Sequence, residues 1–403
     1  MADYGVYATR WDDPRVVEEL LPARDLSFSL PNRDHGEASF SATVEPGRSP
    51  WRAAITPALS GILICRDEVP IWSGWVTSEQ EAADRTFRFT AKEWGSIFSR
   101  FPAPVGPLNM QNDHDLFRAM IIGAQARTGC NVHVDTPPST GAHTSNFDIK
   151  SWENLDAETA YRRIADAEGG PEWYVAASGT RAAPKRVLML ADQHGNHKVE
   201  GDAVLHFVED TEAPAPAPQA PRIMLLNDLF PIGTYSNGRI GRRGGNVLAK
   251  ARTRDVARST TRAVAIGDGT DAAQLQREAR ANRLVDQIGW PELTTWTQHS
   301  SVSNESAIQR HANADLAAAA GIATGWALTT LDHWVDQRGK AHGGPDWTQI
   351  PRGSTMRVIL DTDVYAGPRP LQFEARLLDT RVDVPDDGPA QVTWSLAETL
   401  EVS

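Results

Sequence analysis

Alternation of apolar and small polar residues marks the start of the chain. "LSFSL" at 26–30 and "ASFSATV" at 38–44 both follow this pattern, and "PNRDHGE" lies between them. A period of two on each side of a turn-rich segment indicates a β-hairpin. Asn32 and Gly36 are expected in its loop.

A second hairpin is predicted from "GILICR" at 61–66, the acidic turn "DEVP", and "IWSGWVTS" at 71–78. "RTFRFTAK" at 85–92 then places Phe87 and Phe89 on one face of a further strand, with charged and polar residues on the other. These elements indicate an antiparallel sheet or barrel with one solvent-exposed face.

Helical periodicity begins after "FPAPVGPLN" at 101–109. One helix is predicted with Asn112 or Asp113 as its cap and Gly129 as its stop. Its apolar stripe is Leu116, Phe117, Met120, Ile121 and Ala124. A second helix is predicted to end at Gly169-Gly170. Its apolar stripe is Ala157, Ala160, Tyr161, Ile164 and Ala165. With strands at "EWYVAA" and "RVLMLAD", these helices predict a small α/β insert.

A stiff boundary follows at "TEAPAPAPQAP", because alternating Pro and Ala favours extended polyproline conformation. Beyond it, "TTRAVAIG" predicts a strand, and the D-x-x-Q pattern of Asp271 and Gln274 predicts a long helix to about Ile288. Ser306 and Gln309 form a capping-box start for the next helix, which Gly321 is expected to end. Four strands follow, at "TGWALTTLD", "MRVILDTDV", "LQFEARLLDTRVDV" and "QVTWSLAETL".

The chain is therefore predicted as a β-rich α+β protein. Its expected parts are a first β-barrel-like domain at 1–108, completed by strands from about 200–240, an inserted α/β domain at 109–199 and a linker at 211–222. A second β-barrel-like domain is expected at 223–403, with a helical insertion at about 270–322. Its 403 residues are enough for a core that needs no disulfide staples.

Charge and cysteine content narrow the function classes. The net charge is −12, which disfavours general binding to nucleic acid or anionic membranes. The window Arg239–Arg262 is an exception: it holds eight basic residues against Asp255 alone, which gives +7 and leaves −19 elsewhere. No apolar run approaches the roughly 18 residues of a membrane span, and the N-terminus has no secretory pattern. The two cysteines predict reduced thiols made in a cytosol.

Short motifs with possible chemistry are few. Gly267-x-Gly269-x-x-Ala272 resembles a dinucleotide loop, but no hydrophobic parallel strand follows, so a strand-to-helix turn is preferred. The carboxylates of Asp361-Thr-Asp363 fit the solvent-exposed face of a strand better than a cation site. Cys130 with His133, and His194 with His197, each supply two zinc ligands, and no second pair completes either set. No nucleophile elbow, phosphate loop or HExxH motif is present, and no cofactor or metal is predicted.

The 13 tryptophans allow two interpretations. Tryptophan stacks on sugar rings, but its commoner use is anchoring of cores and interfaces. Nine stand in or beside predicted strands and turns: Trp72, Trp75, Trp94, Trp290, Trp296, Trp326, Trp334, Trp347 and Trp394. Burial would favour the anchoring role, whereas an open groove lined by several of them would favour a carbohydrate-binding or carbohydrate-active β protein.

The order of the first elements resembles the N-terminal domain of minor tail proteins of long-tailed actinobacteriophages. Those proteins are similar to the baseplate hub of contractile phages. The matching pieces are the N-x-x-x-G loop from Asn32 to Gly36, the acidic turn Asp67-Glu68, the I-W-x-G-W element Ile71–Trp75, and a third strand running on to Trp94. The ending "LLDTRVDVPDDGPAQVTWSL" also resembles such proteins, whereas "APAPAPQAP" departs from the pattern.

This resemblance implies a non-enzymatic hub at the tail tip of a virion, made in the host cytoplasm. Three chains would supply six barrels, which lets a threefold tip meet a sixfold tube. The implied partners are the distal tail protein, the tape measure protein, tail-tip or fibre proteins, and genomic DNA in transit. Barrel-wall and interface roles are expected for Trp72, Trp75 and Trp94, and an inter-subunit or outward basic segment for Arg239, Arg242, Arg243, Arg252 and Arg254.

Overall fold

The computed structural model describes most of the chain. The described residues are 3–18, 21–44, 50–82, 84–108, 112–126, 129–134, 147–149, 151–191, 203–208, 224–225, 233–234, 240–241, 249–255, 259–269, 274–299, 302, 304–320, 323–335, 341–343, 347–361, 371–386 and 389–398.

Strands are the main elements. The first twelve are β1 Tyr4–Arg10, β2 Val16–Glu18, β3 Ala23–Ser29, β4 Glu37–Thr43, β5 Ser60–Arg66, β6 Val69–Glu81, β7 Thr86–Glu93, β8 Gly106–Leu108, β9 Val132–His133, β10 Phe147–Ile149, β11 Glu172–Thr180 and β12 Ala183–Ala191. The others are β13 Ala203–Val208, β14 Met224–Leu225, β15 Gly233–Thr234, β16 Ile240–Gly241, β17 Ala249–Asp255, β18 Arg262–Ile266, β19 Gln276–Arg280, β20 Thr294–Gln298, β21 Ala323–Leu331, β22 His333–Val335, β23 Ala341–Gly343, β24 Thr355–Asp361, β25 Leu371–Val384 and β26 Gln391–Glu398.

Helices are fewer. The α-helices are α1 Asp113–Gln125, α2 Ala157–Ala165 and α3 Glu305–Ala319. Short 3₁₀ turns cover Pro50–Ala54, Trp94–Arg100, Ser151–Glu153 and Trp347–Gln349, and a π-helical turn covers Arg283–Gln287. None of the helices in the described residues is both long and apolar enough to cross a bilayer.

One large sheet joins the two ends of the chain. Its order is β14-β13-β24-β25-β3-β4-β7-β6-β5-β1-β2, and a branch runs from β25 through β26 and β21 to β17. Both predicted N-terminal hairpins are confirmed, as antiparallel β3–β4 and β5–β6. The strand path does not close into a barrel over the described residues. β13 pairs with β24 and β14 in this sheet.

Alternating side chains from both ends of the chain build one core under this sheet. Phe87, Phe89 and Ala91 of β7 are buried, as their period-two spacing predicts. They share a cluster with residues of β21 and β26, including Trp394. The division into two β domains stays a prediction, because the strands of both share this sheet and this core.

The α/β unit covers the outer face of β1, β5 and β6. It contains α1, α2 and the mixed sheet β11-β12-β9. Because both faces are covered, "SGILICR" of β5 is apolar without alternation: Ile62 and Ile64 enter the main core, and Leu63 and Cys65 face the α/β side. Asn112 caps α1, as predicted, and Asp156 caps α2.

A third, small unit consists of β18, β19, β20 and α3. The long helix predicted from Asp271 to Ile288 is wrong, because 276–280 form β19, antiparallel to β18. A strand therefore follows the Gly267–Gly269 loop. Both interpretations of this loop, as a dinucleotide site and as a strand-to-helix turn, require a helix at that position. The helix α3 is confirmed, but its cap is Asn304, whose side chain accepts from the backbone N–H groups of Ser306 and Ala307.

Candidate functional site: charged junctions between the units

The loop between β3 and β4 connects the main sheet to α2. The Arg33 guanidinium donates to the carbonyl of Ala165, at the end of α2, and lies 3.2 Å from the Asp166 carboxylate. Asp34 pairs with Arg162 at 2.8 Å. The polar "PNRDHG" segment predicted as a simple turn is therefore a docking loop.

His35 fills the centre of this contact. Its Nε2 lies 3.2 Å from Glu158 and 3.4 Å from the Tyr161 hydroxyl, and its ring lies 4.9 Å from the ring of Trp173. Burial opposes the charge of Glu158, but its hydrogen bonds to His35 and Arg162 outweigh that effect and lower the pKa of the carboxyl group. The loop is thus held by aromatic packing and by charge together.

A buried ion pair lies beneath the loop. Glu93 ends β7, and its carboxylate accepts from Arg352 at 2.6 and 3.1 Å and from the backbone N–H of Gly36 at 2.7 Å. Arg352 also donates to the carbonyl of Pro31 and lies 4.3 Å above the Tyr174 ring. Glu93 is 1% exposed, so this bidentate pair is shielded from solvent.

A second buried carboxylate follows at the start of β11. Glu172 accepts from Arg376 of β25 and, at 3.1 Å, from the amide nitrogen of Asn32. Nearby, Asp379 accepts from the backbone N–H of Leu30, while burial raises the pKa of its carboxyl group. The junction therefore ties the first hairpin, the α/β unit and β25 together.

Arg186 of β12 makes a junction of another kind. Its guanidinium donates to the carbonyls of Trp11, Cys130 and Arg10 at 2.7, 2.6 and 2.6 Å and lies 3.5 Å above the Trp94 ring. Carbonyl oxygens and an aromatic face hold this 2%-exposed side chain. Burial lowers its pKa to about 10, so it stays charged at neutral pH.

The three predicted interface tryptophans lie in the two cores of one chain and in the wall between them. Trp72 is fully buried in the main core, and Trp94 in the core of the α/β unit. Trp75 is half-buried on the opposite face of β6 from Trp72, donates to Ser96 at 2.9 Å and meets the Trp11 ring edge-on at 6.1 Å. The tryptophan-bearing hairpin is thus a wall between two cores.

Only part of the predicted basic segment lies in the described residues. Arg252 of β17 lies 4.9 Å above the Trp326 ring and 3.7 Å from Glu398, and Arg254 is exposed. Arg239, Arg242 and Arg243 fall outside the described residues.

Most of the tryptophans anchor cores. Of the nine singled out from the sequence, five are buried: Trp72, Trp94, Trp326, Trp347 and Trp394. Trp296 is 66% exposed on β20, and a further tryptophan, Trp152, is 73% exposed in the α/β unit. These two exposed rings belong to different units, so they do not form the single groove that the carbohydrate interpretation expects.

The other sequence candidates form no metal site within the part of the chain that the structure describes. Cys130 is buried, and its thiol donates a hydrogen bond to the side-chain oxygen of Gln125 at 3.6 Å. Across the residues that the structure describes, no three His, Cys, Asp or Glu side chains are placed to hold a metal. Asp363, His194 and His197 lie outside those residues.

Sequence reasoning missed the ionic junction, although one signal for it exists. Glu93 continues the inward-facing series of Phe87, Phe89 and Ala91 on β7, with the same period of two. A carboxylate at a core-facing position needs a buried partner. The sequence does not show that this partner is Arg352, 259 residues away.

Solved tail proteins share this fold over nearly the whole chain. The tail protein from Neisseria meningitidis MC58 matches with a TM-score of 0.58 at 12% identity, over 98% of this chain and 96% of that one. The prophage MuSo2 43 kDa tail protein from Shewanella oneidensis gives 0.53 at 10%, over 98% of both chains. Prophage tail protein gp18 from Listeria monocytogenes EGD-e gives 0.50 at 9%, over 97% and 94%.

These comparisons establish a fold, that of the three tail proteins. At such low identity they assign no residue roles. No protein-family model matches the chain, and no curated protein sequence matches it.

Proposed function

We propose that this chain is a structural hub protein at the tip of a phage tail. The observation that carries the proposal is the likeness to the Neisseria tail protein, which spans 98% of this chain and 96% of the other. A match over the full length supports the same overall role better than a shared motif would. The order of the N-terminal elements supports it independently.

The proposed assembly is a threefold ring of identical chains between a sixfold tail tube and a threefold tip. An acidic body and a +7 window on the same chain favour head-to-tail contacts, which close into a ring. The distal tail protein, the tape measure protein and tail-tip or fibre proteins are the proposed neighbours.

DNA is proposed to leave through the ring without being held. Three chains carry −36, so an acidic lumen is available, and each basic contact with phosphate would add binding that must later be broken. The segment Arg239–Arg262 is therefore placed against neighbouring chains or on the outside. The pairing of Arg252 with Glu398 supports this placement, because a paired arginine is a weaker phosphate ligand.

We further propose that the chain is not an enzyme. The buried carboxylates of Glu93 and Glu172 are each engaged by an arginine, so neither is left as a free acid or base. Turnover of cell-wall glycan or peptide by the pure protein, abolished by a single Asp, Glu, His or Ser substitution, would contradict this.

Particle imaging of the purified chain, with light scattering over a range of concentrations, tests the hub proposal. A ring of three copies with the described β units around a central opening is expected. A stable dimer with its twofold axis through those β units would overturn it. Unpaired Arg242, Arg243 and Arg254 lining the bore would overturn the acidic-lumen proposal alone.

A further inference from the structure

A small open cleft lies in the α/β unit, away from the charged junctions. It has a volume of about 280 Å³ and lies between the segment 99–105 and the segment 149–156. Its apolar lining is Phe101, Pro102, Ala103, Val105, Ile149 and Leu155. Pockets that bind small molecules usually measure roughly 300–1,000 Å³. This cleft is smaller and better suited to one large apolar side chain.

Backbone hydrogen bonds hold the cleft open. The Ala103 N–H donates to the Leu155 carbonyl at 2.9 Å, and the Ala157 N–H donates to the Phe101 carbonyl at 2.8 Å. The two walls are therefore fixed to each other at their base. A partner would meet a preformed surface, which lowers the entropy cost of binding.

An exposed tryptophan stands beside the cleft on an ordered turn. Trp152 lies between the lining residues Ser151 and Asn154, and its side chain is among the most exposed large apolar groups described. Its backbone is held in place, since Asn154 donates to the Trp152 carbonyl at 3.1 Å and the adjacent Glu153 pairs with Arg163 at 2.9 Å. A large apolar ring exposed to water on a turn whose backbone is fixed is typical of an interface anchor.

The charge at the rim favours an acidic partner. Arg100 lines the cleft, is exposed, and makes no ion pair with the residues that the structure describes. Asp156 also lines the cleft, but both of its oxygens accept hydrogen bonds from Thr159 at the start of α2. The guanidinium is thus the group left to bind a ligand charge. Tryptophan and arginine are also the residue types most enriched among binding hot spots.

We propose that this cleft, with Trp152 and Arg100 at its rim, docks a short acidic and aliphatic peptide segment of a partner protein. An apolar side chain of the peptide enters the cleft, a neighbouring carboxylate pairs with Arg100, and the chain between them lies against Trp152. The proposal depends on the α/β unit alone and does not require the hub role.

Selection from a display library of random short peptides against the full-length chain tests this. The expected consensus is an acidic residue next to Leu, Ile, Val or Phe. Fluorescence anisotropy with one selected peptide should then show affinity falling by about tenfold or more in Trp152→Ala and in Arg100→Glu, as for hot-spot residues. The matched control is Trp296→Ala, which removes the other exposed ring and should leave affinity unchanged.

A charge exchange separates a direct contact from a structural effect. Replacing the acidic residue of the selected peptide with Lys should abolish binding to the original chain and restore it to Arg100→Glu. Failure of this rescue, absence of any enriched acidic–aliphatic consensus, or equal loss of affinity in Trp296→Ala would each overturn the proposal. If instead Trp152→Ala and Arg100→Glu lower the oligomeric state of the pure chain and no peptide binds, a second copy occupies the cleft and the proposal is wrong.

Discussion

The α/β unit and the small unit of β18–β20 and α3 are stabilised in different ways. Among the described residues, the α/β unit has a core of 21 buried residues, and the buried carboxylate of Glu172 joins it to Arg376 of the main sheet. The small unit has a core cluster of four buried residues in the same part of the chain. The arginine–carboxylate pairs within it, such as that of Arg277 with Glu305, lie at the surface. Burial of charge thus accompanies the larger core.

The small unit depends on its neighbour for much of its stability. Arg310 of α3 reaches Asp113 at the start of α1 at 2.8 Å and donates to the carbonyl of Glu168 at 2.9 Å. Asn313 donates to the Glu168 carboxylate at 2.7 Å. A cluster of four residues gives little independent stability, so we expect this unit to open before the main sheet does.

The largest effect is expected at the buried pair. Glu93→Ala leaves Arg352 buried without its partner, and breaking such a pair costs about 3–5 kcal/mol of unfolding free energy. Urea denaturation measures this. Asp12→Ala is the matched control, because its pair with Arg10 is over 60% exposed on both side chains, and it should cost less than about 1 kcal/mol. Equal losses in the two variants would remove the distinction between buried and exposed ion pairs.

Acid should weaken the small unit first. His311 of α3 stacks on His299 at 4.0 Å, near Asp315, Arg310 and Asp113. Burial, followed by the charge of His299, lowers its pKa from 6.5 to about 4. As the pH falls, the unfolded chain therefore protonates His311 before the folded chain does. The stabilisation that neutral His311 gives above pH 6.5 is lost towards pH 4, and the free energy of unfolding falls by up to about 3 kcal/mol.

Urea denaturation at pH 7 and pH 4.5 checks this titration. The loss on acidification should be smaller in His311→Gln than in the unchanged chain. Hydrogen exchange compared at equal pH should place the difference in α3 and β18. An identical loss in both proteins would show that His311 does not control acid sensitivity.

A glycine substitution tests how closely the docking loop packs against the main sheet. A Cβ at Gly36 would lie 2.0 Å from the carbonyl oxygen of Ser29 and 3.0 Å from the Glu93 carboxyl carbon. We expect Gly36→Ala to cost about 1–3 kcal/mol, as overpacking does. Gly123→Ala is the control: its nearest new neighbours, in Pro104, lie at 3.4 Å, and an alanine inside α1 should be neutral or stabilising. Similar destabilisation by both would contradict the steric argument.

The smallest effect is expected at the surface of the small unit. Arg277 and Glu305 lie 2.6 Å apart, but their side chains are 38% and 68% exposed. Arg277→Ala should change the unfolding free energy by less than about 1 kcal/mol. Thermal unfolding at low and high salt measures it. A larger loss would mean that exposed pairs do hold this unit together.

Local patterns predicted the first elements of the chain. The β3–β4 hairpin, α1 and α2 follow from one-sided apolar periodicity, whereas the β5–β6 hairpin follows from two apolar segments around an acidic turn. The error at 271–288 has a physical cause. In "QREAR" of β19, only Ala279 packs towards the small core, and Gln, Arg, Glu and Ala are all good helix formers. Pairing with β18 overrides that propensity, and a strand with one small apolar residue shows little period-two signal.

The junctions were less predictable because their partners are distant. The sequence identifies residues 31–36 as a turn but does not connect His35 with Glu158 or Asn32 with Glu172. Nothing in the sequence marks Arg186 as buried either. On β12 it follows Lys185 at the start of an apolar run, and its partners are backbone carbonyls, which any sequence supplies. Among these residues, Glu93 carries a sequence signal for burial, because it is in phase with the inward-facing Phe87 and Phe89, but that signal was missed.

The pairing of β3 with β25 has a consequence for synthesis. The backbone N–H of Asp25 binds Asp386 across 361 residues, next to a register that matches Ser29 with Arg381. At about 5–20 residues per second, the ribosome needs roughly 20–70 s to make the intervening chain. During that time one edge of β3 has no native partner, and an open edge can pair with another nascent chain. Slow, non-local folding is therefore expected, and crowded polysomes would favour wrong partners for β3 before β25 emerges.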